Sequence, residues 1–202
     1  MTQIILSPTL PETDRARAAD LYWQAFRDKL GRIMQPEEKA LSFFTRCLDP
    51  AYAICAHAPD GRLLGVAGFK TAEGALMSGD LRDVMTTYGA FGGLWRGLLL
   101  GMLERTPQDD ILLMDGIFVT AEARGQGVGT LLLTAIKDRA AEMGKSGVRL
   151  DVIDTNPRAR ALYERHGFIA GAVNHIGPFR HLFKFRSSTT MTCPIPHRQA
   201  AT

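Results

Sequence analysis

The sequence predicts a single α/β domain whose mixed, mostly antiparallel sheet carries helices on both faces. Three observations lead there. A chain of 202 residues is long enough for one well-buried domain and short for two. Hydrophobic content of 46% with 22% charged residues is ordinary for a globular protein in water. Apolar runs of strand length alternate with helix-period segments. The clearest succession starts at Asp110 and reads strand, glycine-rich turn, helix, strand.

Taken in order, Ile4 to Leu6 is a short apolar strand. Asp14 to Leu30 is helical, with Thr13 placed as its N-cap and Gly31 just past its end. Two apolar runs between Ala51 and Lys70 flank Pro59, Asp60 and Gly61, a turn cluster that predicts a hairpin. From Leu81 to Leu103, apolar residues including Val84, Met85, Tyr88, Phe91, Trp95 and Leu98 recur at helical spacing and predict one helix. Gly89, Gly93, Gly97 and Gly101 would line one flank of it. Each interior glycine costs roughly 1 kcal/mol against alanine, so another backbone is expected to approach that flank. A buried contact within the domain is the first reading. A lid, a sticky interaction face or a homodimer surface is the second.

"ILLMDGIFVT", from Ile111, is a long continuous apolar strand of the kind covered on both faces. The following helix carries Val128, Leu131, Leu132, Ala135, Ile136, Ala140 and Met143 on one stripe and ends at Gly144. "GVRLDVI" from Gly147 is a second buried-type strand. Asn156 caps a short helix with Pro157 at its first position and Gly167 past its end. Strands are expected near Phe168 to Val173 and Thr189 to Ile195, with Pro194, Pro196 and the polar end as a frayed tail.

Charge and cysteine usage exclude several classes. A net charge of +3 gives no reason to expect nucleic acid as a partner. Cys47, Cys55 and Cys193 form neither a CxxC pair nor a zinc pattern, so no metal is expected and a reducing, cytoplasmic setting is. The opening "MTQIILSPTL" lacks the basic segment and apolar length of a signal peptide. Gly97 to Leu103 is too short to span a membrane.

Arg124-Gly125-Gln126-Gly127-Val128-Gly129 lies between a strand and a helix. It lacks the third glycine of a dinucleotide fingerprint and the Lys-Ser/Thr of a Walker loop. Free amides and the positive dipole end at a helix N-terminus make an anion site, and glycines let a ligand approach the backbone. A diphosphate is the natural occupant.

Arg124-x-x-Gly127-x-Gly129 resembles the acyl-CoA diphosphate loop of the GNAT superfamily of N-acetyltransferases. Asn156 through Phe168, N-x-x-A-x-x-L-Y-x-x-x-G-F, is similar to that family's second signature. The likeness covers Ile111 to Phe168 well and implies a single-domain GNAT fold over residues 1–195. In such a fold the region near 81–104 is an insertion, and the central strands splay to admit CoA. The resemblance further implies acetyl transfer from acetyl-CoA to the primary amine of a small molecule or peptide. Ile117, Phe118 and Val119 would flank the pantetheine arm, and Arg124, Gly125, Gln126, Gly127, Val128, Gly129 and Thr130 would hold the diphosphate. Asn156 would bond the pantetheine arm, besides capping its helix.

Tyr163 resembles the family's general acid for the departing thiolate; the competing role is a core tyrosine against Phe168. Asp115 and Asp151, carboxylates in buried-type strands, are both candidates for the base. Either is alternatively an ion-pair partner for an arginine such as Arg149, and Glu122 is expected to be exposed. A non-catalytic acyl-CoA sensor or an interaction module remains the alternative to an enzyme.

Overall fold

The computed structural model describes residues 3–195. The tail expected from Pro196, with His197 and Arg198, lies outside them. The chain order is β1 (Ile5–Ser7), α1 (Arg15–Leu30), α2 (Glu37–Cys47), β2 (Ala53–His57), β3 (Leu63–Lys70), α3 (Leu81–Tyr88) and α4 (Ala90–Gly101). There follow β4 (Ile111–Val119), α5 (Val128–Glu142), β5 (Gly147–Ile153), α6 (Pro157–Arg165), β6 (Ile169–His175), α7 (Arg180–Phe183) and β7 (Ser187–Pro194). The seven strands form one sheet in the order β1-β2-β3-β4-β5-β7-β6. Every neighbouring pair is antiparallel except β4 and β5, which run parallel around α5.

Strand alternation sorts side chains into two cores. Leu112, Met114, Val148, Leu150 and Val152 pack with Val128, Leu132, Leu133, Ile136 and Tyr163 on the α5–α6 face. On the other face, Val66 and Phe118 pack with Leu21, Trp23, Phe43, Phe44 and Val84 of α1, α2 and α3. Among the described residues no helix is long and apolar enough to cross a membrane.

Local differences from the sequence expectations have identifiable causes. Asp14, rather than Thr13, occupies the N-cap of α1, and its carboxylate serves His57 Nε2 at 2.8 Å instead of the helix amides. α2 was not anticipated, although its buried Ala40, Phe43, Phe44 and Cys47 follow the i, i+3, i+4, i+7 pattern. On α5, Leu133 is buried, whereas Leu131 and Met143 flank the stripe and are exposed. Pro194 ends β7 instead of beginning a tail.

The segment from Leu81 to Leu103 is two helices. Gly89, at φ 77°, ends α3 and caps α4 with a backbone that few other residues adopt. The predicted close backbone approach is therefore met by the segment's own first half. A Cβ at Gly93 would lie 2.4 Å from Met85 Cα, and one at Gly97 would lie 2.3 Å from Leu81 Cδ1. The two helices thus form a tight antiparallel hairpin over the α1–α2 face. Its outer side leaves Phe91, Leu94, Trp95, Leu98 and Met102 exposed.

Candidate active site

The sheet opens at its centre. β4 pairs with β5 only at Ile111, Leu112 and Leu113, against Gly147, Val148 and Arg149. Beyond that point β5 continues with β7 as far as Ile153, and β4 continues with β3 as far as Val119. Each strand keeps its outer partner and loses its inner one, leaving a wedge-shaped gap. Asp115 marks where it begins. The register jumps from Met114↔Phe69 to Gly116↔Gly68, so Asp115 is the extra residue of a β-bulge, which bends a strand.

The backbone beside this gap has free groups. The Thr120 amide donates to the Leu64 carbonyl at 2.8 Å, which turns alternate residues, Thr120 and Phe118, toward β3. Ile117 and Val119 then present their N–H and C=O groups to the gap. Phe118, expected among the cofactor-binding residues, pairs with Val66 of β3, and its ring sits edge-on to Tyr22 at 5.7 Å.

The glycine loop lies beyond the end of β4. Gly125 and Gly127 have φ of 77° and 83°, and a Cβ on either would meet nothing within 4 Å. Open space faces both residues, so a packing role does not explain them. Val128 is buried and anchors α5, while Arg124, Gln126 and Thr130 are exposed. Gly129 lies in the first turn near Leu162. First-turn amides of a helix have no intrahelical acceptor and sit at its positive end, so Val128, Gly129 and Thr130 offer donors to an anion. The Thr130 hydroxyl is engaged by His166 Nε2 at 3.2 Å. Asn156 Oδ1 accepts the Ala159 amide at 3.1 Å and so fulfils its capping role.

Asp115 and Asp151 project from β4 and β5 to the α1 side, and Arg105 lies between them. Arg105 Nη2 is 3.6 Å from Asp115 Oδ1, and its Nη1 is 3.4 Å from Asp151 Oδ2. Asp151 also accepts the Thr190 hydroxyl at 2.5 Å and has Arg149 Nη2 at 3.6 Å, the ion pair anticipated for this arginine. Asp115 has fewer partners. Burial raises its carboxyl above the ordinary range, with the Arg105 charge opposing. Glu122 is exposed, as its position before the loop implied.

Tyr163 approaches from the opposite face, its ring 5.8 Å from Phe168. Burial pushes its hydroxyl up to about 12, and the charge acting against this is Arg105. Among the described residues no hydrogen bond engages that hydroxyl. It is neutral near pH 7 and available as a proton donor. Tyr163 and Arg105 sit on different faces of the sheet, and the gap between β4 and β5 lies between those faces.

This arrangement can hold a diphosphate at the loop, an extended arm along the free edge of β4, and a reacting centre between Tyr163 and Asp115. A family model described as acetyltransferase (GNAT) family matches residues 15–168. The chain belongs to the GNAT acetyltransferase family. Two relatives match over less than a third of the chain. An uncharacterized N-acetyltransferase, YhfO, of Bacillus subtilis (strain 168) is 38% identical over 58 residues, 29% of this chain and 39% of that one. The thialysine N-epsilon-acetyltransferase of Bos taurus is 38% identical over 56 residues, 28% of this chain and 33% of that one. The matched stretch thus spans between a third and two fifths of these relatives' own length.

Solved structures show the same GNAT fold over most of the chain. An N-acetyltransferase from Staphylococcus aureus Mu50 superposes with a TM-score of 0.65 at 15% identity, covering 93% of this chain and 99% of that one. A phosphinothricin acetyltransferase from Sinorhizobium meliloti, in complex with AcCoA, gives 0.62 at 17%, covering 100% and 92%.

On the α1 side this GNAT domain encloses a cavity of about 340 Å³ that ends at Asp115 and Arg105. Tyr22, Phe26 and Lys29 of α1, Phe43 and Phe44 of α2, and Leu81, Val84, Gly97 and Leu100 of the α3–α4 hairpin line it. Arg105, Lys29 and Tyr22 were not anticipated from the sequence. A signal for Arg105 did exist: two aspartates on the same side of neighbouring buried strands require a cation. Its position, in the loop after a helix that differed from expectation, was not readable. For Lys29 and Tyr22 there was no such signal.

Proposed function

We propose that the chain transfers an acetyl group from acetyl-CoA to a primary amine by direct attack of the amine on the thioester. The observation that carries this reading is the gap between β4 and β5, with an open glycine loop beyond the end of β4 and a bulged aspartate where the gap begins. The amides of the loop from Arg124 to Thr130 would hold the diphosphate, and Ile117 and Val119 would bond the pantetheine amides in the manner of an added strand. Asn156 retains its NH₂ group for the same arm, because its cap uses only Oδ1.

In the transfer a C–N bond forms and the C–S bond breaks. The ammonium gives one proton to Asp115 to become the attacking amine. The nitrogen loses a second as the amide forms, which balances the one taken by the departing thiolate. The proton on Asp115 passes to solvent. Asp115 is the base in this reading, since burial favours its proton-accepting function and it faces the cavity. Asp151, held by Thr190, Arg105 and Arg149, positions Arg105 rather than accepting the proton. Tyr163 supplies the proton to the thiolate, and the Val119 amide faces the developing oxyanion. The cavity on the α1 side receives the amine.

Thermal unfolding with acetyl-CoA, with desulfo-CoA and with NADH tests the donor half. At a hundredfold over its Kd, a ligand stabilises by about 2.7 kcal/mol. Stabilisation by the two CoA species and not by NADH, lost in Gly127→Glu, is the expected result. No response to either CoA species would refute the reading.

A further inference from the structure

Most charged groups at the polar end of the α1-side cavity are matched. Lys70 pairs with Glu104, and Arg105 with Asp115 and Asp151. Lys29 is different: among the described residues no carboxylate pairs with its ammonium, which stands 5.5 Å from the centroid of the Phe185 ring. Tyr22 is similar. Its ring is held 4.5 Å from Phe26 and 4.9 Å from Phe44, and among the described residues its hydroxyl makes no hydrogen bond.

Both residues line the cavity, and as i and i+7 on α1 they lie two turns apart along one helix face. Both residues are half-buried and reach the cavity, so these two donors on one wall are free to bond acceptor oxygens of an occupant. The cavity's lining charges balance and leave no surplus carboxylate for an added cation. Lys29, Lys70 and Arg105 line it against Glu104 and Asp115 at that end, with Asp80 as the N-cap of α3. A simple amine would leave both donors unmatched and add another positive charge. An occupant carrying a carboxylate beside its amine would satisfy the donors and leave Asp115 for the ammonium. The remaining walls, formed by Phe26, Phe43, Phe44, Met77, Val84 and Leu100, are apolar.

We infer that the acceptor is an α-amino acid with a large apolar or aromatic side chain, its carboxylate held by Lys29 and Tyr22, its amine at Asp115 and its side chain among those six residues. The inference rests on the acetyl-transfer reading above. The product is the N-acetyl amino acid, whose amide nitrogen carries no charge. With no ammonium left to attract, Asp115 no longer holds the product, which favours release.

The test measures kcat/KM with saturating acetyl-CoA for L-phenylalanine, L-leucine and L-methionine, for phenethylamine and L-phenylalaninamide, which lack the carboxylate, and for glycine, which lacks the side chain. L-phenylalanine should exceed phenethylamine by roughly ten- to a hundredfold, the worth of a charge-assisted hydrogen bond. Lys29→Met should collapse that ratio, and Lys29→Arg should restore part of it. Equal or better use of phenethylamine, or a ratio unchanged in Lys29→Met, would overturn the inference while leaving acetyl transfer standing. A preference for glycine would overturn it as well. Thermal unfolding with acetyl-CoA is read in parallel: stabilisation without acetylation of any of these amines overturns the amino-acid inference alone. Absence of both defeats the acetyl-transfer reading and the inference with it.

Discussion

The two faces of the sheet use buried space differently. On the α5–α6 side, Val128, Leu132, Leu133, Ile136 and Ala140 fill the interval to the strands, and the Tyr163 ring packs against Phe168. On the α1 side, equally buried residues such as Trp23, Phe43 and Phe44 support a cavity of about 340 Å³ instead. The loop and strand edge proposed for the donor rely on backbone: amides of the first α5 turn and the unpaired edge of β4. The cavity relies on side chains drawn from α1, α2, the α3–α4 hairpin and the loop holding Arg105. Backbone recognition of one donor and side-chain recognition of another molecule can therefore vary independently.

The largest expected effect breaks the first side alone. Gly127→Glu places a carboxylate where the diphosphate would lie and should weaken acetyl-CoA binding by about a hundredfold or more, measured by titration. A Cβ there meets open space, so folding loses only the strain of a non-glycine residue at φ 83°, about 1–2 kcal/mol.

Asp115→Asn addresses the other side. It should lower kcat/KM by about 10²- to 10³-fold while acetyl-CoA affinity holds. Burial raises the Asp115 carboxyl, so the active, ionised form disappears as pH falls through that raised value. The wild-type rate should show this acidic limb, and the remaining rate of the asparagine variant should lack it.

Tyr163→Phe removes a hydroxyl with no protein partner among the described residues. kcat should fall by about ten- to a hundredfold, because a thiolate with a pKa near ~8.5 can leave without a donor, only more slowly. Stability should change by less than about 0.5 kcal/mol, as denaturant unfolding would show. A core-only role predicts the reverse pattern.

Smaller effects sharpen the contrast. Gly93→Ala forces a Cβ against the Met85 backbone and pushes α4 off α3. It should destabilise by about 1–3 kcal/mol and raise KM for the acceptor rather than for acetyl-CoA. Lys29→Met should raise the melting temperature modestly at pH 7. Burial, with Arg105 second, pushes the Lys29 ammonium down to about 8 from 10.5. The unfolded chain therefore holds that proton more tightly: the penalty is full below pH 8 and fades toward 10.5. The stabilisation should shrink over that interval.

The same division explains what was legible in the sequence. The β4–α5–β5–α6 stretch declares itself through glycines, a cap and two apolar strands, all signals carried by neighbours in the chain. The gap opens beside one bulge at Asp115, for which Gly116 inside the apolar run was the one local sign, since a glycine within a strand often marks a bulge. The loss of β5 pairing had no such sign. The hairpin break at Gly89 was equally hidden, because the apolar period continues through it. The cavity assembles residues as distant as Tyr22 and Arg105, and periodicity within elements says nothing about which elements meet. Arg105 stands in for the general case: the need for a cation near two buried aspartates was readable, and its address was not.

The most direct measurement of the central claim follows thiol release and product mass together, with acetyl-CoA and the amine panel, for wild type and Asp115→Asn. Thiol and N-acetylated amine should appear one for one, and both should fall together in the variant. Thiol release without an acetylated amine, or equal rates in the two proteins, would contradict a transfer reaction centred between the β4–β5 gap and the cavity.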